Sequence, residues 1–401
     1  MKTFASIFSG GELAGIGAMQ AGLTPIWGVE KDASIASVAE MNTASKIIVS
    51  RAQDVDYSKL ESPFWLHVSP PCTNASQANQ GSGECSEDVE MARACGLALF
   101  SLRPSVFSLE NVWAYRSFQS FTNILSELRR YGYAVDYWHL NSADFGVPQT
   151  RKRLFLVARL NARVQRPEAT HRQRGDMFLP AWCSWLEAIE DLIPTLPTSK
   201  FAAWQLKRLA RTDFFTTGYF DSQNPQKAQL RRPANEPAFT VTSFDRPSHM
   251  PRAYLVDDQR NGFTGEMNFA SSVAPAFTIG TRRASKLRAF IVDGKNTRTT
   301  TDEPFTLRKE DEPCFTIAAL DGSARHRAFV EGYAQRQPSL IPVEPEWFSR
   351  GRIVSMTPRA LARFQSIPDY YKLPSSNGLA CKVTGNAVPP LLMRRTIEAN
   401  T

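Results

Sequence analysis

Trp65-Leu66-His67-Val68-Ser69-Pro70-Pro71-Cys72 is the stretch on which the fold turns. A short apolar strand runs into two prolines, and a thiol follows. Proline fixes φ and pushes the residue before it into extended backbone, so the chain leaves the strand on a rigid turn and the direction of the sulfur is set. A second apolar run, Val106-Phe107-Ser108-Leu109, ends in Glu110-Asn111-Val112 and carries a carboxyl group to the tip of a buried strand. A sulfur nucleophile and an acid at the carboxyl edge of one sheet make an arrangement for covalent catalysis. Each motif also has an ordinary reading. A lone cysteine is most often a small buried apolar residue, and a Glu-Asn pair at a strand end is most often a turn. The case rests on their order with further motifs along the chain.

Around these two runs, residues 1–159 alternate strand and helix patterns. Strands are expected at Thr3–Phe8, Pro25–Val29, Trp65–Val68, Ser105–Leu109, Tyr133–Leu140 and Arg153–Val157. Helices are expected at Leu13–Ala21, Asp32–Asn42 (with Asp32 and Ser34 as candidate N-caps), Asp88–Leu102 and Phe118–Tyr131. Such alternation implies an α/β, doubly wound sheet, in which ligands sit beyond the carboxyl ends of the strands. The opening residues are brief in their apolar run and meet Gly10-Gly11, so they read as a first strand and not as a signal segment.

Phe8-Ser9-Gly10-Gly11 follows the first strand and precedes a helix, where glycines let a cofactor approach the backbone at a helix N-terminus. Glu30 ends the second strand, and an acid there suits a ribose diol. No Gly-x-Gly-x-x-Gly phosphate cradle is present, which suggests a nucleoside cofactor without a pyrophosphate.

Residues 160–350 have another character, rich in Pro, Arg, Thr and Phe. Pro237-Ala238-Phe239-Thr240, Pro275-Ala276-Phe277-Thr278 and Pro313-Cys314-Phe315-Thr316 recur with a period of 38 residues. Each is followed by an Arg-led apolar strand: Arg252–Val256, Arg288–Val292 and Arg327–Val330. Three copies are too few for a closed propeller, so stacked β-hairpins are expected. Arg246, Arg282, Arg283 and Arg325 fall between the two strands of each copy, where base or phosphate contacts would arise. Residues 351–401 return to the first composition, with a Pro-started helix at Thr357–Phe364 and Lys382–Pro390 leading into a last helix. The chain therefore divides as 1–159, a β-rich insert at 160–350 with three 38-residue repeats, and a return at 351–401.

The bulk numbers exclude some classes. The chain has 401 residues, 42% hydrophobic and 21% charged, as in an ordinary globular protein. No apolar run of membrane-spanning length occurs. Six cysteines, at 72, 85, 95, 183, 314 and 381, form no CxxC and do not cluster with the five histidines, so neither a metal site nor a disulfide framework is expected. A reducing cytoplasm fits best. The net charge of +8 is compatible with a polyanionic partner.

Taken in order, the motifs resemble those of the cytosine-C5 DNA methyltransferase family of prokaryotic or phage type. The resemblance covers about 1–159 and 351–401. Phe8-Ser9-Gly10 looks like the family's first motif, Pro71-Cys72 like its nucleophile motif, and Glu110-Asn111-Val112 like its Glu-Asn-Val motif. Gln149-Thr150-Arg151-Lys152-Arg153 matches Gln-x-Arg-x-Arg, and Gly385-Asn386-Ala387-Val388-Pro389-Pro390 the closing Gly-Asn motif. The resemblance implies an S-adenosylmethionine-dependent methyltransferase domain with a second, β-rich target-recognition domain. It implies S-adenosyl-L-methionine as cofactor, bound by Phe8, Ser9, Gly10, Gly11, Glu30 at the ribose, Asp54 at the adenine amino group, Asn386 and Val388. Asn386 is expected to orient the loop that supports the cofactor or Cys72. Double-stranded DNA is the implied partner, with no metal or membrane, for a monomer acting at the nucleoid in a restriction-modification setting. Two departures stand out. Glu12-Leu13 occupies the place of two glycines, and Thr73 follows the nucleophile where Gln is common; this bears on the loop Thr73–Glu84, expected to close over DNA.

The implied chemistry gives each group a task. Cys72 adds to C6 of cytosine, and Glu110, protonated in an apolar strand end, supplies a proton toward N3. Arg151 and Arg153 are expected to hold the base O2 and the adjacent phosphate. The target base is flipped out of the duplex. Two other readings compete: a transfer RNA cytosine-C5 methyltransferase, and a catalytically silent DNA-binding protein on the same scaffold. The intact set Cys72, Glu110, Arg153 and Asn386 argues against the second, and the long repeated insert against the first.

Overall fold

The computed structural model describes residues 1–71, 83–173, 175–199 and 351–401 (side chains from Val354 onward), and the backbone of 252–258, 286–292, 307–309 and 327–331. Cys72, most of the Thr73–Glu84 loop, Cys314, the three Phe-Thr segments and Arg246, Arg282, Arg283 and Arg325 lie outside the described residues.

Seven strands make the first sheet: β1 Thr3–Ile7, β2 Thr24–Glu30, β3 Lys46–Val49, β4 Trp65–Val68, β5 Val106–Asn111, β6 Tyr133–Asn141 and β7 Lys152–Leu160. Their spatial order is β3-β2-β1-β4-β5-β7-β6. The pairs from β3 to β5 are parallel, while β7 runs antiparallel to both β5 and β6. The sheet is therefore mixed, with one reversed strand. β3 lies outside the expected strands; its apolar content is a short Ile47-Ile48-Val49 run after a lysine, too brief to show a period. Helices α1 Leu13–Gln20, α2 Ala33–Glu40, α3 Ser86–Leu102 and α4 Gln119–Arg130 carry the crossovers. α4 puts Phe121, Ile124 and Leu128 on one buried face, which is the helical spacing a surface helix needs. Asp32, not Ser34, caps α2, its carboxylate accepting from Ser34 N and Ile35 N.

The winding reverses between β1 and β4, and the crevice at such a switch point is where ligands bind in open α/β sheets. Register makes this concrete. Val29, Ile7, Val68 and Leu109 are mutual neighbours across four strands, and all are buried. The next residue on each strand, Glu30, Phe8, Ser69 and Glu110, therefore emerges at one edge. β7 starts at that edge because it is reversed, and this brings Arg153 there too. Strands buried on both faces are usually continuous apolar runs. Here one row breaks the rule: Ser6, His67 and Ser108 are register neighbours, all at most 1% exposed.

After the insert, α5 Pro358–Phe364, α6 Asn377–Gly385 and α7 Pro390–Glu398 complete the described chain. Thr357 caps α5 through a hydrogen bond from Ala360 N, with Pro358 at the first position. Lys382–Gly385 belongs to the end of α6 and is not a lead-in loop; Asn386 is its C-cap. Leu13, Ile16, Ile35 and Val38 of α1 and α2 pack with Ile367, Tyr371 and Val383. The returning segment is thereby fastened to the first two crossovers.

A second, five-stranded sheet has the order β10-β9-β8-β11-β12, from β8 Arg252–Asp258, β9 Lys286–Val292, β10 Leu307–Lys309, β11 Arg327–Glu331 and β12 Gly351–Ser355. The three Arg-led segments of the repeat are thus strands lying side by side in one sheet. β8 pairs antiparallel with β9 and parallel with β11. The sheet continues past residue 350, since β12 pairs with β11.

Candidate active site

The glycine turn after β1 is built from left-handed backbone. Phe8, Gly10 and Glu12 have φ of 59°, 55° and 59°. For Gly10 this is free of strain, and a Cβ there would meet nothing within 4 Å, so the space above it is open. Gly10 N donates to Glu30 Oε2 at 3.0 Å, and Glu30 Oε1 accepts from Asp32 N at 2.9 Å. Glu30 thus ties the turn to the end of β2 while each carboxylate oxygen keeps a further lone pair. Ser9 N donates to Val29 O at 2.9 Å; its hydroxyl is buried without a partner among the described residues. Asp54 follows β3 on a short 3-10 turn with its carboxylate exposed. Open space over a glycine, an orphaned hydroxyl and two carboxylates at a strand edge suit a nucleoside with an amino-acid tail.

Glu12 explains the departure from two glycines. It takes the left-handed backbone that a glycine would have, and its side chain turns inward, completely buried. Oε2 accepts from Ser6 Oγ at 2.7 Å, and Oε1 has no partner among the described residues. Burial pushes its carboxyl up to about 7, the Ser6 hydroxyl offsetting only part of the desolvation.

The returning segment closes over this turn. Tyr371 donates from its hydroxyl to Gly11 O at 2.6 Å. A Cβ on Gly11 would lie 2.5 Å from that hydroxyl and 2.6 Å from Val383 Cγ1, so only glycine fits beneath the clamp. Lys382 pairs with Asp32 at 2.8 Å and holds that carboxyl below its usual range.

At the opposite side of the switch point, Glu110 sits inside β5, 6% exposed. Its surroundings are not apolar as expected. Arg153 Nε lies 3.2 Å from Oε1, and Ser69 Oγ donates toward Oε2 at 3.5 Å. Asn111 Nδ2 donates to Pro70 O at 3.1 Å, fixing the turn that precedes Cys72. Arg151, also buried, donates to Gly385 O at 3.1 Å, so it reaches the end of α6 next to Asn386. Asn386 is exposed and Val388 is packed in the core with Phe4 and Leu392. The structure thus brings Phe8, Ser9, Gly10, Gly11 and Glu30 together, joins Glu110 to Arg153, and ties Arg151 to Gly385 of the returning segment. Sequence reasoning missed Glu12, Tyr371, His67 and Ser69 as members of the site. A signal existed only for Glu12, as an acid where glycine belongs.

A family model for C-5 cytosine-specific DNA methylases matches residues 2–400. The chain belongs to this family. It is a DNA (cytosine-5-)-methyltransferase, and the family uses S-adenosylmethionine. This methyltransferase is similar to the Type II methyltransferase M.AquIA of Picosynechococcus, 29% identical over an alignment of 234 positions that covers 50% of this chain and 93% of that protein. It is also similar to the Type II methyltransferase M.AgeI of Thalassovita gelatinovora, 23% identical over 434 residues, covering 99% and 98%. With M.Bsp6I of Bacillus the match, 30% identical over 169 residues, spans about half of that protein, 52%. Among solved structures, a Spodoptera frugiperda DNMT2 variant superposes with a TM-score of 0.55 at 13% identity, covering 100% of this chain and 99% of that one. That likeness is one of fold. Among the described residues, no helix is long and apolar enough to cross a membrane, and no group of side chains could hold a metal ion.

Proposed function

We propose that this methyltransferase acts on a specific sequence in double-stranded DNA, through a covalent adduct between Cys72 and a cytosine flipped out of the helix. The observation that carries this reading is the edge where Asn111 holds the Pro70 carbonyl while Glu110, one residue earlier, faces Arg153. The thiol-bearing turn and the acid are fastened to the same strand end. The Cys72 thiolate adds to C6 of the base, and the electron pair moves toward N3. Glu110 handles the proton at N3, and Arg153 supports its carboxyl group. S-adenosylmethionine would be held by Phe8, Ser9, Gly10, Gly11, Glu30 and Asp54 and would supply an electrophilic methyl group to C5, leaving as the neutral thioether. Loss of the C5 proton to solvent then expels Cys72 as the thiolate, and N3 returns its proton to Glu110. Because a stacked cytosine hides C6 from any side chain, the base leaves the duplex first. Arg151, through Gly385, and Asn386 hold the returning segment under this site.

Target recognition falls to the insert of about 160–350, and within it to Arg246, Arg282, Arg283 and Arg325. Arginine pairs bidentately with guanine, at about 1–3 kcal/mol of discrimination per contact. The relatives named Type II methyltransferases support placing this chain in a restriction-modification setting. Bisulfite sequencing of DNA from cells expressing the chain tests activity and reads the target together. Duplexes carrying 5-fluorocytosine are expected to trap a denaturation-resistant adduct with the wild type and none with Cys72→Ser. An adduct on the serine variant would remove Cys72 from the mechanism.

A further inference from the structure

The polar row beneath the active edge has a direction. Trp65 Nε1 lies 2.7 Å from Ser108 Oγ, and Ser108 Oγ lies 2.8 Å from His67 Nδ1. On the other side of the ring, His67 Nε2 lies 3.0 Å from Ser69 Oγ, and Ser69 Oγ lies 3.5 Å from Glu110 Oε2. The indole N–H is a donor and nothing else. Ser108 therefore accepts from Trp65, and among the described residues the only acceptor for its own proton is His67 Nδ1. That leaves the ring proton on Nε2, which donates to Ser69, and the Ser69 hydroxyl is aimed at Glu110. Trp65, His67 and Ser108 are all at most 1% exposed. A histidine and a serine in the middle of a parallel sheet occupy places where apolar residues cost less. Their hydrogen bonds satisfy each other, yet none of that is needed for the sheet to close.

We infer that Ser69, His67 and Ser108 are positioning residues for Glu110, a one-way ladder of donors that begins at Trp65 and fixes the orientation of the carboxyl group from behind. The inference rests on the role proposed for Glu110. It also limits that role. A proton cannot travel the ladder to Glu110, because the chain would have to be refilled from an indole N–H. The proton that Glu110 passes to the base comes from the open side of the site. The 3.5 Å step to Glu110 is long, as catalytic hydrogen bonds commonly are before substrate binds, and it is the step expected to shorten on DNA.

Two kinds of measurement test this. Nitrogen-15 NMR of the protein with labelled histidine reads the tautomer directly, whether or not the enzyme is turning over. His67 should show an unprotonated Nδ1 and a protonated Nε2 throughout pH 6–8, consistent with burial lowering its imidazole to about 3. A protonated Nδ1 would overturn the ladder even if methylation proceeds as proposed. Steady-state methylation, with single-turnover rates beside it to isolate the chemical step, then tests the function. Ser69→Ala and Ser108→Ala should each lower kcat by about tenfold or more, as a misaligned group does, with KM for cofactor and DNA unchanged. Ser69→Thr, which keeps the hydroxyl, should recover most of the loss. Ser108 is fully buried and bonds Trp65 and His67, of which only His67 leads on to Ser69 and Glu110, so a loss confined to kcat would run through the ring. Wild-type kcat in both alanine variants would reduce the row to packing.

Discussion

Asn111 Nδ2 donates to Pro70 O, and Asn111 Oδ1 accepts from Val112 N at 2.8 Å, so one buried amide joins the end of β5 to the thiol-bearing turn. Asn111→Asp keeps the size and loses the donor. The Pro70 carbonyl is left without its bond, a loss of about 1–3 kcal/mol for a buried acceptor. Thermal denaturation should show that cost, and kcat should fall while S-adenosylmethionine affinity by calorimetry stays put. A variant that turns over normally would show that the turn is held by other means.

Glu110→Gln preserves shape and removes both the acid and the partner of Arg153. Turnover should drop by roughly the 10²–10⁴-fold typical of a lost general acid. The stability cost is expected to be small beside that loss, because Arg153 is only partly buried, keeps its bond to Lys152 O and finds an acceptor in the glutamine amide oxygen. Denaturant unfolding separates the two effects from each other. Undiminished single-turnover rates at neutral pH would take Glu110 out of the chemistry.

Glu12 makes the fold sensitive to pH in an unusual sense. Its carboxyl ionises near 4.5 when unfolded and near 7 when folded. Between those values the folded chain holds a proton that the unfolded chain has released, so stability falls as pH rises through this window and is level above it. The displacement corresponds to roughly 3 kcal/mol lost by pH 8. Glu12→Gln carries no such penalty. Its melting temperature should exceed that of the wild type at pH 8, and the difference should shrink toward pH 5. Parallel melting curves across pH would count against the assignment.

Tyr371→Phe removes the hydroxyl that holds the Gly11 carbonyl and leaves the ring in place. One hydrogen bond of about 1 kcal/mol corresponds to a fivefold to tenfold loss in cofactor affinity if the turn must be held to bind. Equilibrium titration with S-adenosylmethionine reads it, and an unchanged Kd would mean that the turn holds its shape unaided.

Much of the catalytic sheet was legible in the chain. Runs such as Trp65–Val68 and Val106–Leu109 are strands because strands buried on both faces need unbroken apolar sequence. The edge residues Phe8, Glu30 and Glu110 followed from the same runs. What could not be read was anything that depends on register. Ser6, His67 and Ser108 look like isolated polar residues in three separate strands, and become one row only when β1, β4 and β5 are set side by side. Tyr371 was equally opaque, since nothing local to Asp369-Tyr370-Tyr371 points to a glycine turn 360 residues away. The surroundings of Glu110 were misjudged for the same reason: Arg153 reaches it from a strand that runs the other way.

The clamp of Tyr371 on Gly11 also bears on how the fold closes. Gly11, Asp32 and Arg151 are joined to Tyr371, Lys382 and Gly385 across sequence separations of 360, 350 and 234 residues. Contacts that far apart in the chain repay their loop-closure entropy only after the intervening elements are in place. The glycine turn is therefore a late reporter of folding: local order within the first sheet does not finish it, and a probe at Gly11 would read completion of the whole catalytic fold.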